Sequence, residues 1–242
     1  MSKFKMFIFM FMVLILTGCA STIRYAFNKG LYVSDKPLPY KVVVDVFEDI
    51  RPSEERDGTM YKHGVSLYTR DRSFKADIDK QISQMLVEHL EKAKVFNEVR
   101  VRDVNDNLEV DIEEMEKLEQ EGIDFVITGN LEHFYGFQSG VSGVAYAFGA
   151  LGVLTEAIVN PKRVGGNVEY SDIKIIDVAK KEVLWRGNVK HDFEKKDVFY
   201  DGPVAYVLRA LKEVNNKFVC KIKDTLPESS RGDYASYLDV PE

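Results

Sequence analysis

Three carboxylates, Asp45, Glu48 and Asp49, fall close together in the chain. Carboxylates forced into one site drive their acidities apart, which is how a fold supplies an acid and a base from the same residue type. Against that chemistry stand Arg51, Arg56, Arg70 and Arg72 in the stretch that follows. With them the segment reads as a solvated, salt-linked loop, in which Asp49 and Arg51 are expected to form a structural pair closing the loop onto the sheet. The histidines, His63, His89, His133 and His191, are far apart, and no two stand four residues apart on a helix as a zinc site would have them. Each reads as a surface or half-buried side chain. The chain has no phosphate-cradling glycine loop, no dinucleotide fingerprint and no Gly-x-Ser-x-Gly elbow. No metal and no cofactor are expected, and an enzyme is not.

The remaining reactive side chains are two cysteines, Cys19 and Cys220. Lys3 and Lys5 precede an apolar run from Met6 to Leu16, which is short for a membrane span and has the length of a signal-peptide core. Leu16-Thr17-Gly18-Cys19 follows, and it resembles the lipobox of bacterial lipoproteins. The resemblance implies that residues 1–18 are a signal peptide cut between Gly18 and Cys19, and that the Cys19 thiol carries the lipid. The competing reading is an uncut N-terminal anchor with Cys19 incidental. Two or more acyl chains, at about 0.8 kcal/mol per buried methylene, hold a protein stably where one does not. Ala20, where enteric lipoproteins retained in the inner membrane carry Asp, implies the outer membrane, facing the periplasm. With Cys19 consumed, Cys220 has no partner for a disulfide. Beside Phe218, Val219 and Ile222 it reads as a small buried hydrophobe. Tyr170 and Trp185 lie in strand patterns and read as core or sheet-face aromatics.

These residues need a scaffold. The chain has 242 residues, 45% hydrophobic and 30% charged, enough for one compact domain with a real core. A net charge of −6 without a Lys/Arg run excludes a nucleic-acid footprint. Residues 19–40, with Pro37 and Pro39, read as a lipidated tether. Val42 to Phe47 is β-branched and apolar and predicts a strand; Glu48 to Arg72 is long for a loop and implies a hairpin or a functional surface. From Ser73, Ile78, Ile82, Met85, Leu86, Leu90 and Ala93 recur at helical spacing. A strand at Glu98–Arg102, an acidic helix from Asp111 to Gln120 capped by Gly122, and a strand from Phe125 through Phe134 come next. Val168–Val178 and Val183–Phe193 alternate and are joined by a turn at Asp177–Lys181. Pro203 opens a last helix, with Val207, Leu208, Leu211, Val214, Phe218 and Ile222 on one face. The predicted fold is α/β (α+β): a mixed sheet of about five strands, order β-α-β-α-β-β-β-α, with two or three helices on one face. The domain covers 41–226 and the tail 227–242 is frayed.

Between the third and fourth strands lies an apolar, Gly/Ala-rich insertion, 137–160, with no charged residue from Phe137 to Thr155. It is long enough to span a bilayer, but both its ends return to one sheet, which excludes a single crossing. Gly136/Gly140, Gly143/Ala147 and Ala145/Gly149 have the four-residue spacing that lets helices approach closely. Three readings remain open: a docked helix or loop, a patch that enters the membrane or packs between subunits, and a membrane β-hairpin. In the second, Val141, Val144, Tyr146, Phe148, Leu151 and Leu154 make the contact.

Four features together carry a further resemblance: the first strand followed by Glu48-Asp49-Ile50-Arg51-Pro52, the helix ending near Val95-Phe96, the Gly122–Gly129 strand, and the hairpin from Ile175 to Gly187. In this order they resemble curli-secretion, exopolysaccharide-export and YajG-like lipoproteins, which share one small α/β module. The resemblance implies a non-catalytic, lipid-anchored cell-envelope protein that is a subunit or accessory of an assembly or export complex, with protein partners or a homo-oligomer. The alternative is a periplasmic carrier of a small ligand or lipid, with the apolar segment lining its pocket.

Overall fold

A computed structural model describes residues 33–59, 67–68, 77–102, 112–139, 147, 151, 155, 159, 161–197 and 202–226. Its centre is β1 (Leu38–Asp45), flanked in parallel by β4 (Phe96–Arg102) and β5 (Phe125–Gln138). From β5 the sheet continues antiparallel into β6 (Lys162–Asp177) and β7 (Glu182–Asp197), in the order β4-β1-β5-β6-β7. The mixed sheet and the sequence of long elements are as the periodicity predicts.

The helices divide between two faces, which corrects the one-faced expectation. Helix α2 (Ile78–Lys92) and the C-terminal helix α4 (Pro203–Thr225) bury their apolar stripes in one core with Val42, Val44, Phe125, Ile127 and Ile175. Helix α3 (Ile112–Gln120) places Met115 and Leu118 on the other face, with Val43, Val126, Ile176 and Val178. Successive strand residues point to opposite faces, so the runs Val42-Val43-Val44 and Phe125-Val126-Ile127 need apolar cover on both. Continuous apolar runs of this kind belong to parallel strands buried on both sides. Gly122 at φ 73° follows α3 and turns the chain into β5.

The charged stretch expected to hold a hairpin or a functional surface contains, among the described residues, three short pieces: β2 (Glu48–Asp49), α1 (Ser53–Asp57) and β3 (Leu67–Tyr68). Strands β2 and β3 pair with β5 at Asn130–Leu131 and Phe137–Gln138. The insertion is shorter than expected, because Phe137 and Gln138 belong to β5, paired with Gly165 and Val164. Gly136 is likewise a strand residue and not part of a helical small-residue repeat. A Cβ there would stand 1.9 Å from the Pro203 carbonyl oxygen, and one at Gly166 would stand 2.6 Å from that of Tyr206. The first turns of α4 thus rest on strand backbone, which only glycine permits.

The chain enters the domain earlier than the tether reading predicts. Ser34 is buried, its amide bonds the Ala93 carbonyl at 2.8 Å, and the Leu38 amide bonds that of Val95 at 2.8 Å. This entry lies at the end of the sheet where β1, β4 and β5 begin. The insertion leaves from the other end, where the Ser139 amide bonds the Arg163 carbonyl (2.8 Å) and the Arg163 amide bonds Ser139 Oγ (3.0 Å). Its two ends are therefore pinned together. With Val42 level with Phe125, entry and neck stand roughly 50 Å apart at about 3.3 Å per strand residue.

Candidate functional site

Asp45 and Asp49 do not pair with each other; each belongs to its own arginine. Asp45 ends β1 directly across from Arg102 at the end of β4. Its Oδ1 accepts from Arg102 Nε at 2.7 Å, while Arg102 Nη1 reaches Glu114 of α3 at 2.7 Å. Asp45 is 1% exposed. Burial pushes its pKa up to about 6, in spite of the Arg102 charge and hydrogen bond that pull it down. The triad ties both strand ends to α3 on the second face. Asp49 accepts a fork of bonds from Arg51, Nε at 2.8 Å and Nη2 at 2.7 Å, and also takes the Arg51 amide. Burial works to raise its pKa, and the bonds and charge of Arg51 outweigh it, leaving Asp49 below the ordinary carboxylate value. Arg51 is 3% exposed, so this end of the stretch is buried and not the solvated loop its charges imply. Its geometry is the bidentate fork that makes arginine–carboxylate pairs strong and specific.

A second constellation escapes sequence reasoning. Glu55, in α1, has a side chain with 0% exposure, and its carboxylate takes the Nδ1 position of His133 at 2.8 Å and the Phe134 amide at 2.6 Å. Along that edge β5 is paired in turn by β1, β2 and β3, and Glu55 supplies the acceptor in the gap between the last two. The hydrogen bond from Glu55 raises His133 above the ordinary imidazole value, against the burial that lowers it; the charges of Glu55, Glu169 and Glu132 add to the rise. A carboxylate-oriented histidine can serve as a general base. Among the described residues, however, no hydroxyl or thiol is bonded to His133. The pair as it stands fastens α1 to the sheet. Pro52-Ser53-Glu54-Glu55 announces a helix start, but nothing local names the distant amide that Glu55 must satisfy.

The other histidines serve packing. His89 is fully buried between α2 and α4, against the surface or half-buried expectation, and burial lowers it to about 4, so it is neutral. His191 is half-buried on β7, and His63 lies outside the described residues. Tyr170 is buried, donating to Asn215 at 2.9 Å, and Trp185 packs against the first core near Phe218. Cys220 corrects its reading: it is exposed on α4, because the helical turn that buries Phe218, Val219 and Ile222 points it outward. Partial burial of the sulfur, and then the Asp224 charge, hold its thiol above the ordinary value. Among the described residues no group of three His, Cys, Asp or Glu could hold a metal, and no helix is long and apolar enough to cross a membrane.

Gly18, Cys19, Val141, Val144, Tyr146, Phe148 and Leu154 lie outside the described residues. Leu151 and Val159 are each helical and exposed, 78% and 68%. Thr155 Oγ1 donates to the Leu151 carbonyl at 2.8 Å. Two large apolar side chains thus face solvent.

No family model matches the chain, and no curated protein matches it by sequence. Solved structures share its general layout. Protein XCC0632 from Xanthomonas campestris is 11% identical, with a TM-score of 0.44, covering 80% of this chain and 92% of its own. The PelC dodecamer from Paraburkholderia phytofirmans is 12% identical, with a TM-score of 0.36, covering 76% and 90%. Lipoprotein GNA1162 from Neisseria meningitidis is 13% identical, with a TM-score of 0.35, covering 77% and 99%. At these scores and identities the overlaps are resemblances only, and none transfers a function to this chain.

Proposed function

We propose that this chain is a lipid-anchored, non-catalytic lipoprotein of the cell envelope, a subunit or accessory of an envelope assembly or export complex. The observation that carries the reading is Leu16-Thr17-Gly18-Cys19 at the end of a short apolar run behind two lysines. Cys19 holds the acyl chains, and the anchored leaflet is that of the outer membrane facing the periplasm. Kinship with curli-secretion, exopolysaccharide-export or YajG-like lipoproteins is part of the same proposal.

The position of the domain entry supports a partner-facing role for the insertion. From Cys19 to Ser34 the link is about 15 residues, at most ~50 Å when fully extended and roughly 20 Å as a flexible coil. The neck at Ser139–Arg163 stands at the far end of the sheet, so the anchored domain carries the insertion away from its own leaflet. This favours contact with a partner over entry into the anchoring membrane. The non-catalytic reading draws on the two groups at the sheet whose pKa is raised, Asp45 and His133, each engaged in a structural tie.

The test is metabolic labelling with an alkyne fatty acid, followed by fractionation. The wild-type chain should take up label and sediment with outer membranes, and Cys19→Ser should lose both. An unlabelled wild type, or a Cys19→Ser protein that fractionates unchanged, refutes the anchor. Crosslinking in intact envelopes from a photoreactive residue at Leu151 should capture a protein. Capture of lipid alone would instead support the ligand-carrier alternative.

A further inference from the structure

Strand β4 is an edge strand: among the described residues it pairs with β1 alone. Beside it α2 leaves a groove of about 440 Å³. Its floor is Val46, Val87, Val99 and Val101, with Val99 only 6% exposed, and its rim is charged. An open edge over an apolar groove invites another strand, and proteins normally blunt such an edge with charge. Here the charges are arranged to select one partner. Glu98 and Arg100 flank Val99 with opposite sign, and both are half exposed in weak surface pairs, with Lys41 at 3.7 Å and Glu121 at 2.7 Å.

We propose that a second copy of this chain docks antiparallel along β4, about a two-fold axis through Val99. In that register Glu98 of each copy stands opposite Arg100 of the other, and Val99 meets its own counterpart. A parallel or shifted register loses the match and sets like charges or valine against charge. The helix above repeats the pattern. On α2, Gln84 lines the same groove as Val99, with Lys80 one turn before it and Glu88 one turn after. The same axis sets Lys80 against Glu88 of the other copy, so strand and helix are self-complementary about one line. An isologous interface requires this, the same patch meeting itself. The proposal does not depend on the anchor, so the unlipidated Cys19→Ser chain should associate as the wild type does.

The test uses the full-length chain purified in mild detergent and followed by sedimentation over a dilution series, with circular dichroism to establish folding. The wild type should dimerise. E98R and R100E should each weaken the dimer about 10- to 30-fold, from two reversed cross-strand pairs, and E98R/R100E should recover most of the loss. A second readout places Val99→Cys in a Cys220→Ser background, where oxidation should give a covalent dimer. Val101→Cys should not, since Asn97 stands opposite it. A wild type that stays monomeric at every concentration reached, single reversals that leave association unchanged, or a double reversal no tighter than the singles would overturn the proposal.

Discussion

Removing the Glu55 carboxylate tests the account of the β5 edge most directly. Glu55→Ala deletes the acceptor for the Phe134 amide (2.6 Å) and for His133 (2.8 Å) at a side chain with no exposure. Leaving a buried donor unsatisfied costs about 1–3 kcal/mol, and a hydrogen bond to a charged group is worth about 1.5–3. The Phe134 amide, buried in the gap between β2 and β3, sets most of the loss, and half-exposed His133 adds less. The expected total is about 3 kcal/mol, or roughly 6–12 °C in Tm for a domain of this size. Glu55→Gln keeps an acceptor for the amide and loses only the charge, so about 1 kcal/mol is expected. The pair also fixes a pH dependence. His133 is raised in the folded state, so its stabilisation is fully present below the ordinary imidazole value, near 6.5. It fades as pH rises through the higher folded value. Urea unfolding of a chain lacking residues 1–19, at pH 5.5 and pH 8, should show the stability gap between wild type and His133→Ala narrowing across this window, while lowered His89 and His191 contribute with the opposite sign to both proteins. A Glu55→Ala protein within about 0.5 kcal/mol of wild type would refute the edge-filling role.

Three further outcomes are expected. Arg102→Met leaves Asp45 buried without its counter-charge and should cost about 3 kcal/mol at pH 8. Because Asp45 in the folded state takes up its proton near 6, urea melts at pH 5 should show a smaller loss. Gly136→Ala drives a methyl group into the Pro203 carbonyl, and should cost at least ~3 kcal/mol by thermal melting. The same change at Gly122, which has open space but a φ of 73°, should cost about 1 kcal/mol. Cys220 should react with a maleimide in the folded protein, more slowly at pH 7 than a free thiol, since its raised pKa leaves less thiolate.

Periodicity made the long elements legible. The stripe from Ile78 to Ala93 and the one from Val207 to Ile222 are buried as their spacing predicts, because a helix repeats every 3.6 residues whatever it packs against. The β6–β7 hairpin was legible for the same reason, its alternation and turn both being local. The ends of β5 and β6 were not. Gly136 reads at helical spacing with Gly140, and it is the distant pairing of the two strands, with α4 pressed on Gly136 and Gly166, that keeps them extended. The outward turn of Cys220 was legible in the helical period, since a residue two on from Phe218 falls about 200° round the helix from it.

The sequence alone determined what depends on local chemistry: a cysteine behind a short apolar run, helices with one apolar stripe, and apolar strands for the centre of a sheet. Tertiary structure decided which charges meet. Asp45 with Arg102 and Glu55 with His133 are joined across 57 and 78 residues, and sequence separation says nothing of distance once strands pair. It also decided that the tether and the insertion leave from opposite ends, since direction follows from the parallel order of β1 and β5. A charge shows its type in the chain, but its partner is set by the backbone that carries both.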